Sequence, residues 1–574
     1  MDRDLEALAR NWGVEPAFHD VFGNWRTVPP DVLRQVIAAL SAGRAGPAAM
    51  SPPVVSRAFQ GGERRLWSLG IQLYAVRSKR NLGIGDFRDL RDIVSIAARA
   101  GAAAVGVNPL HALFPDRPEA ASPYAPNSRL FLNPLYIALD ELDWLRRDDL
   151  ADAENVRRNG FVDYPAVATL KLAALRAAYD RFLVEASAEH KNDYAAFCDE
   201  RGDSLRRFAC FEVLRVKHAA SAWWDWPMPW SQPTKTEIDA LHRAEREQCG
   251  FFEFLQWIAD RQLAQCQRHA RQSGMPIGLY LDLAVGVDPS GADAWSNQQA
   301  VMSALSIGAP PDELNRAGQN WGLVPFNPHA LPDDDFAVFR QLLAAAMRHA
   351  GAVRLDHVLG LMRLYLIPQG SAEGAYVRYP FEQLLRVIAE ESEKHRCIFI
   401  GEDLGTVPEG FRKTAARWGI WSYRVMMFER RNGGAFKAPE EYAADALATF
   451  GTHDLATFAG WMSGDDLRAK RAIGLVTESD EDRARERDAL RGVLRSFGGD
   501  DIASAARFLA ATPSRLVAVS IEDLLGMADQ VNIPGTVEQH PNWRRKLPVP
   551  LEEWESQSAF GQVAEAFRRA GRAI

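Results

Sequence analysis

The chain has 574 residues, with 67 basic and 75 acidic side chains and a formal net charge of −8. A mildly acidic balance of this kind argues against a polyanion as the main partner, so nucleic-acid binding is not expected. With 47% apolar and 25% charged residues, the composition is that of a folded globular protein and excludes wholesale disorder.

The segment MDRDLEALAR at the start is charged and has no apolar core, so it does not read as a secretory signal. No run approaches the roughly 18 apolar residues of a membrane span. The richest stretch, Ser95 to Leu110, is broken by Arg99 and Asn108. Five scattered cysteines form no C-x-x-C pair, which indicates neither a zinc ribbon nor a disulfide framework. They read as reduced packing residues of a cytoplasmic protein.

Residues 1–60 look like a small unit of their own followed by a linker. Pro29-Pro30-Asp31 precedes Val32, Leu33, Val36, Ile37 and Leu40, an apolar stripe at helical spacing with proline at its entry. The stretch 41–56 is rich in Ala, Gly, Pro and Ser and has nothing with which to build a core.

Residues 61–574 carry eight short apolar, β-branched runs, at 66–74, 103–110, 276–285, 352–360, 397–405, 423–429, 446–454 and 516–526. Near-continuous apolar strands mostly separated by helical stretches imply a parallel sheet covered on both faces. Eight such units suggest a closed (β/α)8 barrel, so the expected class is α/β, a TIM barrel with large helical insertions and a small N-terminal domain. The third run starts far beyond the second, so the largest insertion is expected at about 140–270. It contains the helical TLKLAALRAAYDRFL and the cluster Trp223-Trp224-Asp225-Trp226. Sixteen tryptophans hint at sugar stacking, but this cluster reads as packing.

In such a barrel the chemistry sits where strands end. The third run contains Asp282, the fourth ends Arg354-Leu355-Asp356-His357, the fifth Gly401-Glu402-Asp403, and the seventh His453-Asp454. Charges at the tails of apolar strands are costly unless paired or functional. Asp356 and Glu402 should project from neighbouring strands into one bowl, with Asp454 two strands further round. Facing carboxylates suit retaining glycosidic chemistry, one as nucleophile and one as acid and base. Arg354 lies two residues before Asp356, on the same strand face, and a nearby cation favours an ionised nucleophile. Glu402 would need a raised pKa to act as an acid, and Asp454 could hold sugar hydroxyls in the transition state. Residue types alone also allow a structural Arg354–Asp356 ion pair, or a metal site of His357, His453 and the acids. Asp403 reads as a supporting group or helix cap.

Several long motifs together carry a family resemblance. SLGIQLYAVRSKRNLGIGDFRDL (68–90), NPLHALFP (108–115), SPYAPNSRLFLNPLYI (122–137), LDLAVGVDPSGADAW (281–295), GAPPDELNRAGQNWGLVPFNP (308–328), VRLDHVLGL (353–361), GEDLGTVP (401–408), GTHDLATFAGW (451–461) and NIPGTVEQHPNWRRKL (532–547) resemble the 4-α-glucanotransferases of glycoside hydrolase family 77. The resemblance implies the nucleophile at Asp356, the acid/base at Glu402 and the transition-state stabiliser at Asp454. It implies substrate-binding roles for Tyr124, Asp282, Arg354 and His453, and a loop over the acceptor side at Gly318-Gln319-Asn320-Trp321-Gly322, with Trp321 as the stacking candidate. It implies no metal and no cofactor. The expected partners are α-1,4-glucans, maltodextrins and fragments of starch or glycogen, with no membrane and no set oligomeric state. Ala456 stands where the family usually has proline after His-Asp-Leu, and Leu364-Tyr365-Leu366-Ile367-Pro368 lacks the Trp often found there. Rival activities are an α-amylase-type hydrolase, a metal-dependent barrel hydrolase and a non-catalytic glucan-binding protein.

Overall fold

A computed structural model describes residues 3–20, 23–48, 50–150, 156–219, 221–311, 318–475 and 477–574. Eight parallel strands close into a barrel: β1 (Leu66–Ile71), β2 (Ala104–Val107), β3 (Gly278–Leu283), β4 (Ala352–Leu355), β5 (Ile398–Gly401), β6 (Trp421–Val425), β7 (Ala446–Thr449) and β8 (Leu516–Ser520). Each pairs with the next and β8 returns to β1, so this is the (β/α)8 barrel expected from the eight runs. Strands β2, β4, β5 and β7 are buried along their whole length. That burial is why they read as continuous apolar runs rather than alternating ones. The sixth strand begins at Trp421, two residues before the expected run.

Two glycines mark where backbones or rings approach too closely for a side chain. A Cβ on Gly106 of β2 would lie 2.7 Å from the Tyr280 ring inside the barrel, and one on Gly401 would lie 2.8 Å from Val358. The second keeps the turn after β4 tight against the end of β5, where Glu402 follows.

The helix Phe87–Arg99 between β1 and β2 shows how a motif becomes structure. It buries Phe87, Leu90, Ile93, Val94 and Ala97, an i, i+3, i+4 face. Asp86 caps it, accepting from the backbone amides of Arg88 and Asp89 at 3.0 Å each, while Asp89 accepts from the Asp86 amide at 3.1 Å. Arg80 bridges both carboxylates, so the motif segment RNLGIGD is a buried helix-start clamp. Asp86→Ala should cost about 2 kcal/mol, the upper end for losing an N-cap, seen as a drop of a few degrees in Tm. An unchanged Tm would contradict the clamp.

The insertion after β2 holds the helices Tyr164–Glu185, Ala188–Lys217, Lys235–Ala244 and Arg246–Gln272. The last runs back to the barrel: Cys266 Sγ donates to the Phe87 carbonyl at 3.1 Å, and Gln267 accepts from the Leu279 amide of β3 at 2.7 Å. Trp223 and Trp226 are buried. Trp226 packs on Phe211 and Trp295, and Trp223 Nε1 donates to the Pro289 carbonyl. Of its three tryptophans only Trp224 is exposed.

A second sheet was not anticipated. Four antiparallel strands, Ala375–Arg378, Arg363–Pro368, Leu305–Ala309 and Gln319–Leu323, stand beside the barrel in that spatial order. The elements expected as a separate N-terminal unit share their core with it. Leu33, Val36 and Leu40 of the helix Pro30–Ser41, with Trp12, pack with Ile307, Leu366 and Val377. The proline-entered helix is thus present, and its apolar stripe faces the sheet. No helix among the described residues is long and apolar enough to cross a membrane.

Candidate active site

Arg354 organises the floor of the bowl. It sits on β4 opposite Asp282 of β3 in the strand register. One guanidinium nitrogen donates to both Asp282 oxygens at 2.7 Å, and the other donates to Asp356 Oδ1 at 3.0 Å. The expected Arg354–Asp356 contact is therefore made, and Asp282 completes it. A buried cation between two acids keeps the guanidinium fixed and charged. Tyr124 donates from its hydroxyl to Asp282 Oδ2 at 2.6 Å and stacks on His453, with ring centroids 4.7 Å apart. Trp543 closes this aromatic wall against both rings.

Glu402, just past β5, is buried and held by two backbone amides. His357 donates to Oε2 at 2.9 Å and Leu404 to Oε1 at 2.7 Å. His357 adopts left-handed backbone angles, φ 48° and ψ 55°. A non-glycine residue seldom takes this region, and here it turns the amide towards the carboxylate. Asp403, beside it, accepts from Arg412 Nε at 2.6 Å and the Tyr423 amide at 3.0 Å, a supporting role that ties β5 to β6.

Asp454 lies beyond β7 with 44% of its side chain exposed to the bowl. Asn532 donates to its Oδ1 at 2.6 Å, and His453 Nε2 lies 3.4 Å from its Oδ2. Gln530 donates to the Asp454 carbonyl at 2.8 Å. Burial pushes the Asp454 carboxyl up, but His453 and Asn532 outweigh it and hold the group below the ordinary range. The same contact raises the His453 imidazole against the lowering effect of its burial.

Burial is the largest influence on both central acids. It pushes Asp356 up to about 6, helped by the Glu402 and Asp282 charges and opposed by Arg354. Glu402 is also raised, by burial first, with Arg354 and the two backbone amides resisting. Arg354 thus moderates the pKa of Asp356 without overriding its burial. In the nucleophile's role expected of it, Asp356 must be ionised, and its protonation should then inactivate the site. We expect kcat/KM to fall about tenfold per pH unit below pH ~6. An acid limb near the ordinary aspartate value of about 4 would contradict this.

The structure thus brings Asp282, Arg354, Asp356, Tyr124, His453 and Asp454 into one network, with Glu402 on the neighbouring strand. His357 turns its ring to Trp321, centroids 5.1 Å apart, and among the described residues no set of three metal-ligating side chains converges. The expected acceptor-side loop needs correcting: Gln319–Leu323 is an edge strand of the second sheet. Gly318 and Gly322, at φ 75° and 69°, fold it as a bulged hairpin with Leu305–Ala309. Residues 312–317 of that motif lie outside the described residues. Asn320 accepts from Ser306 Oγ at 2.6 Å and from the Gly322 amide at 3.0 Å, so its side chain serves the hairpin and does not enter the carboxylate network. Asn532, Gln530 and Trp543 were not singled out from the sequence. They are neutral residues on a loop, and only their place in the 532–547 motif, or just before it, marked the region.

The family model for 4-alpha-glucanotransferase matches residues 71–551. A 4-alpha-glucanotransferase of Haemophilus influenzae is 36% identical over 548 residues, covering 88% of this chain and 77% of that protein. One of Mycobacterium tuberculosis is 36% identical over 549 residues, covering 88% and 75%. Among solved structures, amylomaltase from Corynebacterium glutamicum superposes with a TM-score of 0.86 at 26% identity, covering 99% of this chain and 100% of that one. Amylomaltase from Streptococcus agalactiae, solved with acarbose, shares the fold, with a TM-score of 0.76 at 20% identity, covering 89% and 100%.

Proposed function

The chain belongs to the 4-alpha-glucanotransferase family, glycoside hydrolase family 77, and from that membership we propose that it moves α-1,4-glucan segments between maltodextrins by a retaining double displacement. It is an enzyme of glycosyltransferase type with 4-alpha-glucanotransferase activity. In our reading Asp356 attacks the anomeric carbon of the donor while Glu402 protonates the departing chain. The 4-hydroxyl of an acceptor glucan then attacks the covalent glycosyl-enzyme, Glu402 takes its proton, and the α-linkage is rebuilt. Asp454 and its partner Asn532 hold the hydroxyls of the distorted sugar, where hydrogen bonds tighten in the transition state. Tyr124, Asp282, Arg354 and His453 form the floor beneath that sugar. Trp321 is the candidate for stacking an acceptor ring, which would favour the glucan over water.

One observation supports the reading: carboxylates from three strand ends gather round Arg354, with Asp356 bonded to it and Glu402 and Asp454 near enough to feel its charge. The free thiols, with Cys210 and Cys249 in a 4.0 Å thiol–thiol hydrogen bond, fit a cytoplasmic setting. The test is the product pattern from maltotriose. Transfer yields glucose and a ladder of longer maltodextrins with no net gain of reducing ends. A steady rise in reducing ends without a ladder would make the enzyme a hydrolase and overturn the proposal.

A further inference from the structure

Packing accounts for all but one tryptophan of the cluster at 223–226. Trp223 and Trp226 are buried, and their indole N–H groups donate to the Pro289 carbonyl at 2.9 Å and the Ser221 carbonyl at 3.1 Å. Trp224 is different. It is 50% exposed, its one ring contact is an edge-on approach to Trp223 with centroids 5.3 Å apart, and among the described residues its indole N–H donates to no protein group. Tryptophan is on average a highly buried residue, so a ring held half in water at the surface asks for a ligand. The segment that carries it is fixed. The Trp230 carbonyl accepts from Trp295 Nε1 and the Ser231 carbonyl from Gln298 Nε2, both at 2.8 Å.

The place of this ring in the fold is informative. Pro289, Trp295 and Gln298 lie on the chain that leaves the C-terminal end of β3, the end at which Asp282 stands. That chain is tied in turn to the segment after β2. The Asp288 amide donates to the Pro126 carbonyl at 2.9 Å, and the Ala292 amide donates to Asn127 Oδ1 at 2.7 Å. Pro126 is two residues beyond Tyr124, which donates to Asp282 on the floor. Contacts thus run from Trp224 through Trp223, Pro289 and Pro126 to the chain that carries Tyr124. The exposed ring stands on the β2–β3 side of the catalytic mouth, outside the residues that line the bowl.

We propose that Trp224 is a remote glucan-stacking residue, which takes a glucose unit of a long α-1,4-glucan beyond the units held at the floor and so favours long chains over short ones. The C–H face of a pyranose ring is apolar and nearly flat, which suits a fixed aromatic surface, while the indole N–H serves hydroxyls at its edge. The exposed carboxylate of Asp225, next in the chain, is an acceptor for the same hydroxyls. Binding energy gained there is remote from the reacting atoms, so it separates substrates by length and leaves the chemical step alone. The inference rests on the transferase reading above and adds which glucans that site prefers. The reference measurement is therefore wild-type transfer on maltotriose that Asp356→Asn abolishes.

Maltotriose spanning the scissile bond extends at most two glucose units to either side, whereas maltoheptaose reaches further. In the Asp356→Asn background, which leaves the glucan unconsumed, calorimetry should show Trp224→Ala weakening maltoheptaose about three- to tenfold, the range for one stacked aromatic ring. Maltotriose affinity should stay within twofold and Tm should not move. Trp224→Phe keeps a stacking face and should recover most of the loss. In the active enzyme the same factor should appear in kcat/KM for maltoheptaose with kcat unchanged. Equal weakening of both glucans would mark a structural defect and overturn the proposal, as would maltoheptaose affinity that Trp224→Ala leaves intact. Trp25→Ala removes another exposed tryptophan, on the N-terminal elements, and should leave both affinities unchanged; an equal loss there would show a nonspecific effect and also overturn the proposal. If wild type shows no transfer, or Asp356→Asn retains it, the transferase reading fails instead, and the two failures are told apart.

Discussion

Asp356→Asn is expected to reduce disproportionation of maltotriose by about 10⁴-fold or more, the scale on which losing a covalent nucleophile acts. Asparagine fills the same space and can still accept from Arg354, which donates to Asp356 at 3.0 Å. What it cannot do is attack the anomeric carbon. The guanidinium keeps its two contacts to Asp282, so no charge is left unpaired on the floor. Burial already raises the Asp356 carboxyl, which means the folded protein disfavours that charge. Removing it should leave Tm unchanged or slightly higher. The loss of rate with an intact or firmer fold separates a chemical role from a structural ion pair. A folded variant retaining more than about 1% of wild-type transfer, far above that scale, would remove Asp356 from the mechanism.

The barrel was legible because its strands are buried on both faces. A strand such as Ile398–Gly401, wholly buried, has no polar alternation and stands out as an apolar block, and the charge that follows it marks the end at which the candidate site forms. The second sheet was hidden for the opposite reason. Gln319–Leu323 is an edge strand holding Gln, Asn, Trp and Gly, with only Leu323 fully buried, and glycines at positive φ sit at 318 and 322. Such a segment has the composition of a turn, and its pairing with Leu305–Ala309 is a tertiary fact. The N-terminal elements follow from this. The stripe Val32 to Leu40 was readable as a helix face, but its partner was not, because that partner is the hidden sheet. In the site, charged residues at strand ends announced themselves. Asn532 did not: an amide on a loop after the last strand acquires meaning only from its 2.6 Å contact with Asp454.

Glu402→Ala is expected to slow transfer between maltodextrins by about 10²–10⁴-fold, the usual contribution of a general acid and base. The loss should depend on the leaving group in a way that no structural defect reproduces. A donor that departs without a proton, such as α-glucosyl fluoride, can still form the covalent glycosyl-enzyme on Asp356 as fluoride leaves. The second step then stalls, because a sugar hydroxyl needs a base to lose its proton. Azide needs none. Added azide should therefore restore turnover of the fluoride by the Ala variant and give α-glucosyl azide, two inversions making net retention. Asp356→Ala supplies the mirror case: azide occupies the space of the lost carboxylate, attacks the α-fluoride once, and gives the β-azide. Both variants keep the Arg354–Asp282 pair, although Asp356→Ala removes Arg354's further contact to Asp356. Rescue of both variants with opposite stereochemistry would assign the two carboxylates their separate roles. A β-azide from Glu402→Ala, or azide rescue of neither variant, would break the assignment of Asp356 as nucleophile and Glu402 as acid and base.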